Sequence, residues 1–473
     1  MKRPRLIALL LLCLASTSAH SQWIRQNVNT TASLRGLSVV NEKIVWASGT
    51  GGTVIRTIDG GKTWNIITVP GAEKLDFRDI EAFDANTAYI LSIGNGESSR
   101  IYKTIDGGRN WQLQFKSTSE KAFFDAIACW DRNNCIAVSD PVEDDQYHLS
   151  RFQLLQTWNG KDWLPMSRGL QAEARDKVYL AAKGEAAFAA SGTCLIASEN
   201  NRVYLASGGS IARVFFSYDR GRNWTVDDTP IVHGTSGSGI FSIAMFDDKS
   251  GVIVGGNYEK PDEYTNSLAF TADGGQTWKL ATGLTGYRSG VTYVDRKTII
   301  AVGTNGSDIS RDGGETWLRI DGENYNGVQA KGKNAICAVG PRGYVAKLSW
   351  QGFLAINGYK PCPKNMICDA PSVNDLRLSH TEISSACLQT NSQCSDKRQI
   401  EVATVAVIVA PDVASNWYDY TVSYGQVIGF GANVTWDLSD AKPGTYTITS
   451  GLKIPYGDSF RIGKTVTKQV IVK

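Results

Sequence analysis

The stretch Thr57-Ile58-Asp59-Gly60-Gly61-Lys62-Thr63-Trp64 limits what this chain can fold into more than any other, because the chain writes it repeatedly. It returns around Asp106 (Thr104 to Trp111), Asp273 (Thr271 to Trp278) and Asp312 (Ser310 to Trp317). Two worn copies surround Asn159 (Thr157 to Trp163) and Asp219 (Ser217 to Trp224). In each copy a strand ends in Ser or Thr, and Asp or Asn turns the chain by accepting backbone N–H bonds on its own side chain. Gly then supplies positive φ. The Trp opens the next strand and lays a large ring over the turn. Spacings of about 40–60 residues between copies mark a stacked or radial repeat rather than isolated hairpins.

Aligning the copies reveals four strands per unit. An apolar strand comes first, as in Leu37-Ser-Val-Val or Phe241-Ser-Ile-Ala-Met. A second strand runs into small residues, as in Val45-Trp-Ala-Ser-Gly or Ile300-Ala-Val-Gly. The third enters the Asp turn and the fourth starts at the Trp. Seven units begin this way, but only six carry an Asp turn. Gln22-Trp23-Ile-Arg resembles Thr316-Trp317-Leu-Arg, so the N-terminal segment is expected to supply the missing outer strand of the last unit. Such closure removes exposed sheet edges. The expectation is an all-β chain: a seven-bladed β-propeller over 22–350, closed by the mature N-terminal strand. A linker over 351–372 and a small β-sandwich over 373–473 follow, the latter read from short strands separated by Gly and Pro turns.

Met1-Lys2-Arg3-Pro-Arg5, the apolar run from Leu6, and Ala19-His-Ser21 read as a signal peptide over 1–21. The run is too short to span a bilayer. Without Lys2, Arg3 and Arg5, the 49 basic residues fall to match the 46 acidic ones. A neutral chain of this kind supplies no electrostatic reason to expect nucleic acid, and no membrane insertion is expected. The expected location is secreted or periplasmic, or the cell surface, and the expected state is a monomer. Of nine cysteines, Cys13 leaves with the leader. Three close pairs are expected to form disulfides in an oxidising compartment: Cys129 with Cys135, Cys362 with Cys368, and Cys387 with Cys394. Cys194 and Cys337 lie in separate apolar strands and are expected to be buried thiols.

The Ser/Thr-x-Asp-x-Gly-x-x-Trp copies resemble the Asp-box, or bacterial neuraminidase repeat. With Ile136-Ala-Val-Ser-Asp-Pro, Ala190-Ser-Gly-Thr and Gly286-Tyr-Arg-Ser-Gly, the span 22–350 is similar to exported propellers related to the photosystem II stability/assembly factor. That resemblance implies a non-enzymatic binding or assembly scaffold. The run from Tyr420 through Asn433-Val-Thr-Trp-Asp-Leu to Pro443-Gly-Thr-Tyr-Thr-Ile-Thr resembles immunoglobulin-like modules of the polycystic-kidney-disease type, which space or bind.

Candidate ligand contacts lie where the inner strands begin. Arg35, Arg78 and Arg288 hold matching places in three repeats, with Asn326 in the last and Tyr287 beside Arg288. Arginines sharing one mouth suit a carboxylate, a phosphate or an acidic peptide, so the expected partner is an envelope or secreted protein or an anionic ligand. The opposing expectation is that each arginine pairs with a local acid such as Asp79, Asp125 or Asp308. The residues Asp59, Asp106, Asn159, Asp219, Asp273 and Asp312 are read as turn caps rather than metal ligands. A sialidase-like glycoside hydrolase would use Tyr287 and an arginine cluster, but no glutamate accompanies them. A cell-surface adhesion protein is a further alternative. His148, His233 and His380 are unclustered, which supports neither a zinc site nor a catalytic triad. Asp140, Glu143, Asp144, Asp145 and His148 read as a solvated acidic insertion. Gly327 to Lys333 copies phosphate-loop spacing but lacks the Ser/Thr and the helix, and no Gly-x-Gly-x-x-Gly opens a helix. No cofactor and no metal are expected.

Overall fold

Each Asp turn is built by its own residues. Thr57 Oγ1 lies 2.8 Å from Asp59 Oδ1 and accepts the Gly61 amide at 2.9 Å. Asp59 in turn accepts the Thr63 amide (3.0 Å) and hydroxyl (2.6 Å). The same pattern joins Asp106 to Asn110, Asp219 to Asn223 and Asp273 to Thr277. Asp312 accepts the Thr316 amide and hydroxyl. Bonds from the Thr63 side chain and amide hold the Asp59 carboxyl at about 2, and bonds from Asn110 do the same for Asp106. The shorter copy places Asn159 Oδ1 against the Lys161 and Asp162 amides, at 2.9 and 3.0 Å. Gly60 and Gly61 sit at φ 77° and 89°, a region that L side chains resist.

The computed structural model describes residues 23–143, 148–166 and 180–348, then 372–378, 382–383, 399–407, 418–428, 433–438, 441–456, 459–462 and 465–472. The leader expected over 1–21, the linker residues 351–371, and Asp144, Asp145 and His380 lie outside the described residues. So do the two disulfides expected to join Cys362 to Cys368 and Cys387 to Cys394: none of Cys362, Cys368, Cys387 and Cys394 is among the described residues. The chain divides into two compact units, one of them Trp23–Trp350.

Among the described residues, this unit contains seven antiparallel sheets in chain order. The first pairs Leu34–Val39, Val45–Gly49, Thr53–Thr57 and Asn65–Thr68. The second runs from Asp76–Ala82 to Gln112–Lys116, the third from Phe124–Asp131 to Leu164–Pro165, and the fourth from Leu195–Ser198 to Thr225–Asp228. The fifth, Ser238–Met245 to Lys279–Leu280, gains two short strands, Glu185–Ala186 and Gly208–Gly209. The sixth spans Gly290–Tyr293 to Leu318–Asp321. In the seventh, Gly327–Ala330, Ile336–Val339 and Val345–Leu348 are joined by Trp23–Arg25, with Trp23 opposite Leu348.

Neighbouring sheets share apolar clusters, and the Trp after each Asp turn enters the cluster shared with the preceding sheet. Trp111 packs between the first and second sheets, Trp163 between the second and third, and Trp224 between the third and fourth. Trp278 and Trp317 continue the series. Trp64 packs on a cluster in which Leu34, Val39 and Ala47 of the first sheet meet Ala335, Cys337 and Val345 of the seventh. Cys194 and Cys337 are buried free thiols, and Cys129–Cys135 is a disulfide joining directly opposed strand partners.

A polar seam accompanies these clusters along the inner strands. Ser38 accepts the Ala82 amide (3.0 Å), Asp79 the Ile127 amide (2.7 Å) and Ser242 the Val291 amide (2.9 Å). Thr292 accepts the Ala330 amide at 3.2 Å, and Gln329 of the seventh sheet accepts the Val39 amide of the first.

The second unit is also built of strands. One sheet orders Ser372–Leu378, Gln399–Val407, Asn433–Asp437 and Gln426–Ile428. The other orders Glu382–Ile383, Val466–Val472, Gly444–Tyr456 and Tyr418–Val422, with Ser459–Ile462 paired to Gly444–Tyr456. Leu376, Val434 and Trp436 from the first meet Ile448, Val470 and Val472 from the second in one core.

Trp23 is 1% exposed, stands 5.6 Å from the Tyr325 ring, and donates Nε1–H to Ser307 Oγ at 3.1 Å. Trp23→Ala is expected to cost about 3–5 kcal/mol of unfolding free energy. Urea unfolding of the full chain measures it.

Candidate functional site

The starts of the inner strands converge on one segment of the chain, Ala187–Thr193, which leads into the fourth sheet. Its contacts come from around the unit. Arg35 of the first sheet donates Nη1–H to the Ala190 carbonyl at 3.0 Å, and Arg78 of the second donates to the Ala189 carbonyl at 3.1 Å. Asp140 of the third accepts the Ala187 amide at 2.9 Å. In the fifth sheet, Ser242 Oγ meets Thr193 Oγ1 at 2.6 Å and the Phe241 ring stacks on Phe188 at 4.0 Å. Ser191 donates to the Ser289 carbonyl at the start of the sixth, at 2.7 Å. Gly192 has φ 77°, and a Cβ there would fall 2.1 Å from Asp79 Oδ1. Glycine is therefore required both by backbone angle and by space.

Arg35 and Arg78 thus bond neighbouring carbonyls of one segment. Burial lowers the Arg35 pKa, and the nearby Arg78 charge lowers it further. Arg78 also pairs through Nε with Asp76 at 2.8 Å. Tyr287 belongs to the same neighbourhood but is buried, its ring edge-on to Phe241 at 4.8 Å, and burial pushes its phenol up.

Like Tyr287, Arg288 and Asn326 depart from the expected ligand set. Arg288 is 0% exposed; its Nη2 lies 2.5 Å from Asp308 Oδ2, and Nη1 bonds the Tyr287 carbonyl and Asn305 Oδ1 at 2.7 Å each. A buried carboxylate on the third strand of its own sheet needs a counter-charge, and that draws the guanidinium into the wall. Asn326 is buried too. Its Nδ2 bonds the Leu34 carbonyl at 2.8 Å and Ser33 Oγ at 3.2 Å, linking the seventh sheet to the first. Neither faces the mouth as a ligand group. With Tyr287 and Arg288 both enclosed, the pair that a glycosidase reading requires is inaccessible to a sugar.

Against the segment lie carboxyls whose convergence the sequence does not signal. Asp79 is buried and bonds the Ile80 and Ile127 amides at 2.8 and 2.7 Å, yet burial still raises its pKa to about 7. Asp125 is pushed well above the carboxylate range by burial and then by Asp140, and its Oδ2 has no hydrogen-bond partner. Burial raises Asp140 to about 6. Groups of this kind favour the protonated state because removing charge from water is costly and their neighbours carry like charge. The described residues contain no cluster of His, Cys, Asp and Glu arranged to hold a metal ion.

Comparison with known proteins gives the geometry its context. Residues 15–119 match the family model described as photosynthesis system II assembly factor YCF48. The solved structure of YCF48 bound to D1 peptide is 15% identical, with a TM-score of 0.50 over 70% of this chain and 97% of that one. YCF48 from Cyanidioschyzon merolae is 17% identical, with a TM-score of 0.47 over 70% of this chain and 99% of that one. No curated protein matches the sequence. The fold is a β-propeller. It is similar to the fold of the YCF48 structure bound to D1 peptide, and Arg35 and Arg78 lie at the entry of its inner strands.

The raised carboxyls predict a pH dependence. A folded Asp140 keeps its proton to about 6, whereas an unfolded Asp releases it near ~3.9. The folded state therefore binds more protons between those values, and stability falls as pH rises through them. The thermal midpoint is expected to drop between about pH 4 and about pH 6, with a shallower drop in Asp140→Asn, whose Oδ1 can still accept the Ala187 amide. Thermal melts of both proteins across that range check it.

Proposed function

We propose that this chain is an exported, non-enzymatic binding or assembly scaffold that takes a polypeptide or another anionic ligand at the mouth around Arg35 and Arg78. On this reading the propeller has seven blades and closes through the Trp23–Arg25 strand, so that all seven inner strands surround one axis. The C-terminal unit is an immunoglobulin-like sandwich that spaces or presents it.

One observation carries the proposal. Two guanidiniums from adjacent sheets each grip a main-chain carbonyl of Ala189–Ala190, so the mouth already holds a peptide by its backbone. Guanidinium groups offer several donors in a fixed plane and suit carbonyl and carboxylate oxygens alike. The YCF48 structure that shares the fold is bound to a peptide, which agrees with a polypeptide ligand.

Crosslinking capture from the native cell envelope tests this, comparing the wild type with the double variant Arg35→Glu/Arg78→Glu. The expected result is loss of the captured partners at unchanged fold, read by circular dichroism. For an isolated partner, affinity is expected to weaken by about 100-fold, the loss of two charge-assisted contacts. Identical capture by both proteins would remove the mouth from the function.

A further inference from the structure

The Asp turns lie at the far end of the inner strands from Arg35 and Arg78. Each backs onto the turn between the first two strands of its own sheet. Gly60 N–H donates to the Lys43 carbonyl (3.0 Å), Gly107 to Asn86 (2.9 Å) and Arg220 to Asn201 (2.8 Å). Side chains from the preceding sheet stitch these turns together. Arg56 bonds the Ala85 carbonyl at 2.5 Å, Lys103 bonds the Gly160 carbonyl at 2.8 Å, and Gln156 bonds the Arg220 carbonyl. The turn tips of the first four sheets are therefore held in fixed relation along one edge.

The second residue of each of these four turns is a large apolar side chain, and each is exposed: Ile58 (51%), Ile105 (73%), Trp158 (42%) and Tyr218 (45%). Each turn also carries an exposed cation just after its last glycine: Lys62, Arg109, Lys161 and Arg222. The fifth and sixth sheets break both halves of the pattern, with Ala272 and Gln276, then Arg311 and Glu315. Arg222 lies 5.3 Å from the Trp158 ring centre and Arg202 lies 4.7 Å from that of Tyr218, so guanidinium and ring share the same height at these tips. Asp59, Asp106 and Asp219 have their carboxylates bonded within their own turns to Thr63, Asn110 and Asn223, and the exposed Asp162 beside Lys161 is bonded to Asn159 in the same way.

Single exposed apolar residues are ordinary. Here four occur at one repeat position in four consecutive sheets, each beside a cation. A protein interface centres on a continuous, packed apolar core. These apolar groups instead stand on four separate turn tips, each with its own charge. Aliphatic and aromatic side chains that enter the headgroup region, flanked by Lys and Arg that meet lipid phosphates, have this composition. We propose that the Asp turns of the first four sheets form an edge that docks peripherally on a bilayer surface containing anionic lipid. The tips enter only the headgroup layer, and the mouth at the opposite end of the inner strands stays open to its ligand.

Sedimentation of the full-length protein with vesicles tests this, using phosphatidylcholine alone and an equimolar mixture of phosphatidylcholine and phosphatidylglycerol. Binding to the mixed vesicles, weakened by salt, is expected, with little binding to phosphatidylcholine alone. Ile105→Ser/Trp158→Ser is expected to lower partition by at least about tenfold, since each tip buries an apolar side chain. Ala272→Ser/Gln276→Ser, on the fifth sheet, is expected to leave it unchanged. Both tip residues are exposed, so the far-ultraviolet circular dichroism spectrum and the thermal midpoint should be preserved. Arg35→Glu/Arg78→Glu should retain vesicle binding, which separates this edge from the mouth. No binding to mixed vesicles overturns the proposal, as does binding that survives the tip substitutions. So does an edge that instead holds a soluble protein through the same tips.

Discussion

Neighbouring sheets in this unit are joined by one kind of contact, repeated. An indole from the outer strand of one sheet fills the space beside the strands of the sheet before it. An indole buries on the order of 200 Å² of apolar surface, so each junction gains a large favourable contribution from a single residue. The inner strands add side-chain acceptors for the next sheet's amides, as Ser38 does for Ala82 and Ser242 for Val291. Apolar filling at the periphery and directional bonds near the axis divide the work: the first supplies adhesion, the second fixes the angle at which one sheet meets the next.

That angular control decides what converges. Because the inner strands are held in register with each other, Arg35, Arg78, Asp140, Phe241 and Ser289 all reach a seven-residue stretch with almost no side-chain chemistry of its own. The stretch accepts bonds from two arginines and also lies against the carboxyls of Asp79 and Asp140. Guanidiniums and carboxyls of raised pKa around one segment make this region sensitive to pH. It is also where the structure departs most from an apolar core.

Much of the architecture is legible in the residues. The all-β propeller follows from a turn motif whose chemistry is local: Asp, Gly and Trp at fixed offsets need no distant partner. The Cys129–Cys135 bridge is legible for the same reason, since five polar and aromatic residues between two apolar runs read as a hairpin. What is not legible depends on distant partners. Arg288 occupies the same repeat position as Arg35 and Arg78, but its fate is set by Asp308 on another strand. No local signal says that this acid is buried. Ala190-Ser-Gly-Thr is visible as a motif of the resemblance, but that Ala187–Thr193 is where contacts from several sheets meet is not legible, because alanine, serine and glycine carry no chemical signature of that role. The required positive φ at Gly192 and its closeness to Asp79 emerge only in three dimensions. The short strands Glu185–Ala186 and Gly208–Gly209 are too brief for any periodicity to register.

The pairing of Trp23–Arg25 with Val345–Leu348 has a temporal consequence. Ribosomes deliver a chain from its amino end, so the earliest of these strands must wait for the latest before its indole finds shelter. Until then an early apolar segment and a late unpaired edge remain available to wrong neighbours, as is general for contacts of large sequence separation. The pairing of this first strand is therefore an event that follows synthesis of residues 345–348, whereas sheets built from consecutive strands can form as the chain emerges.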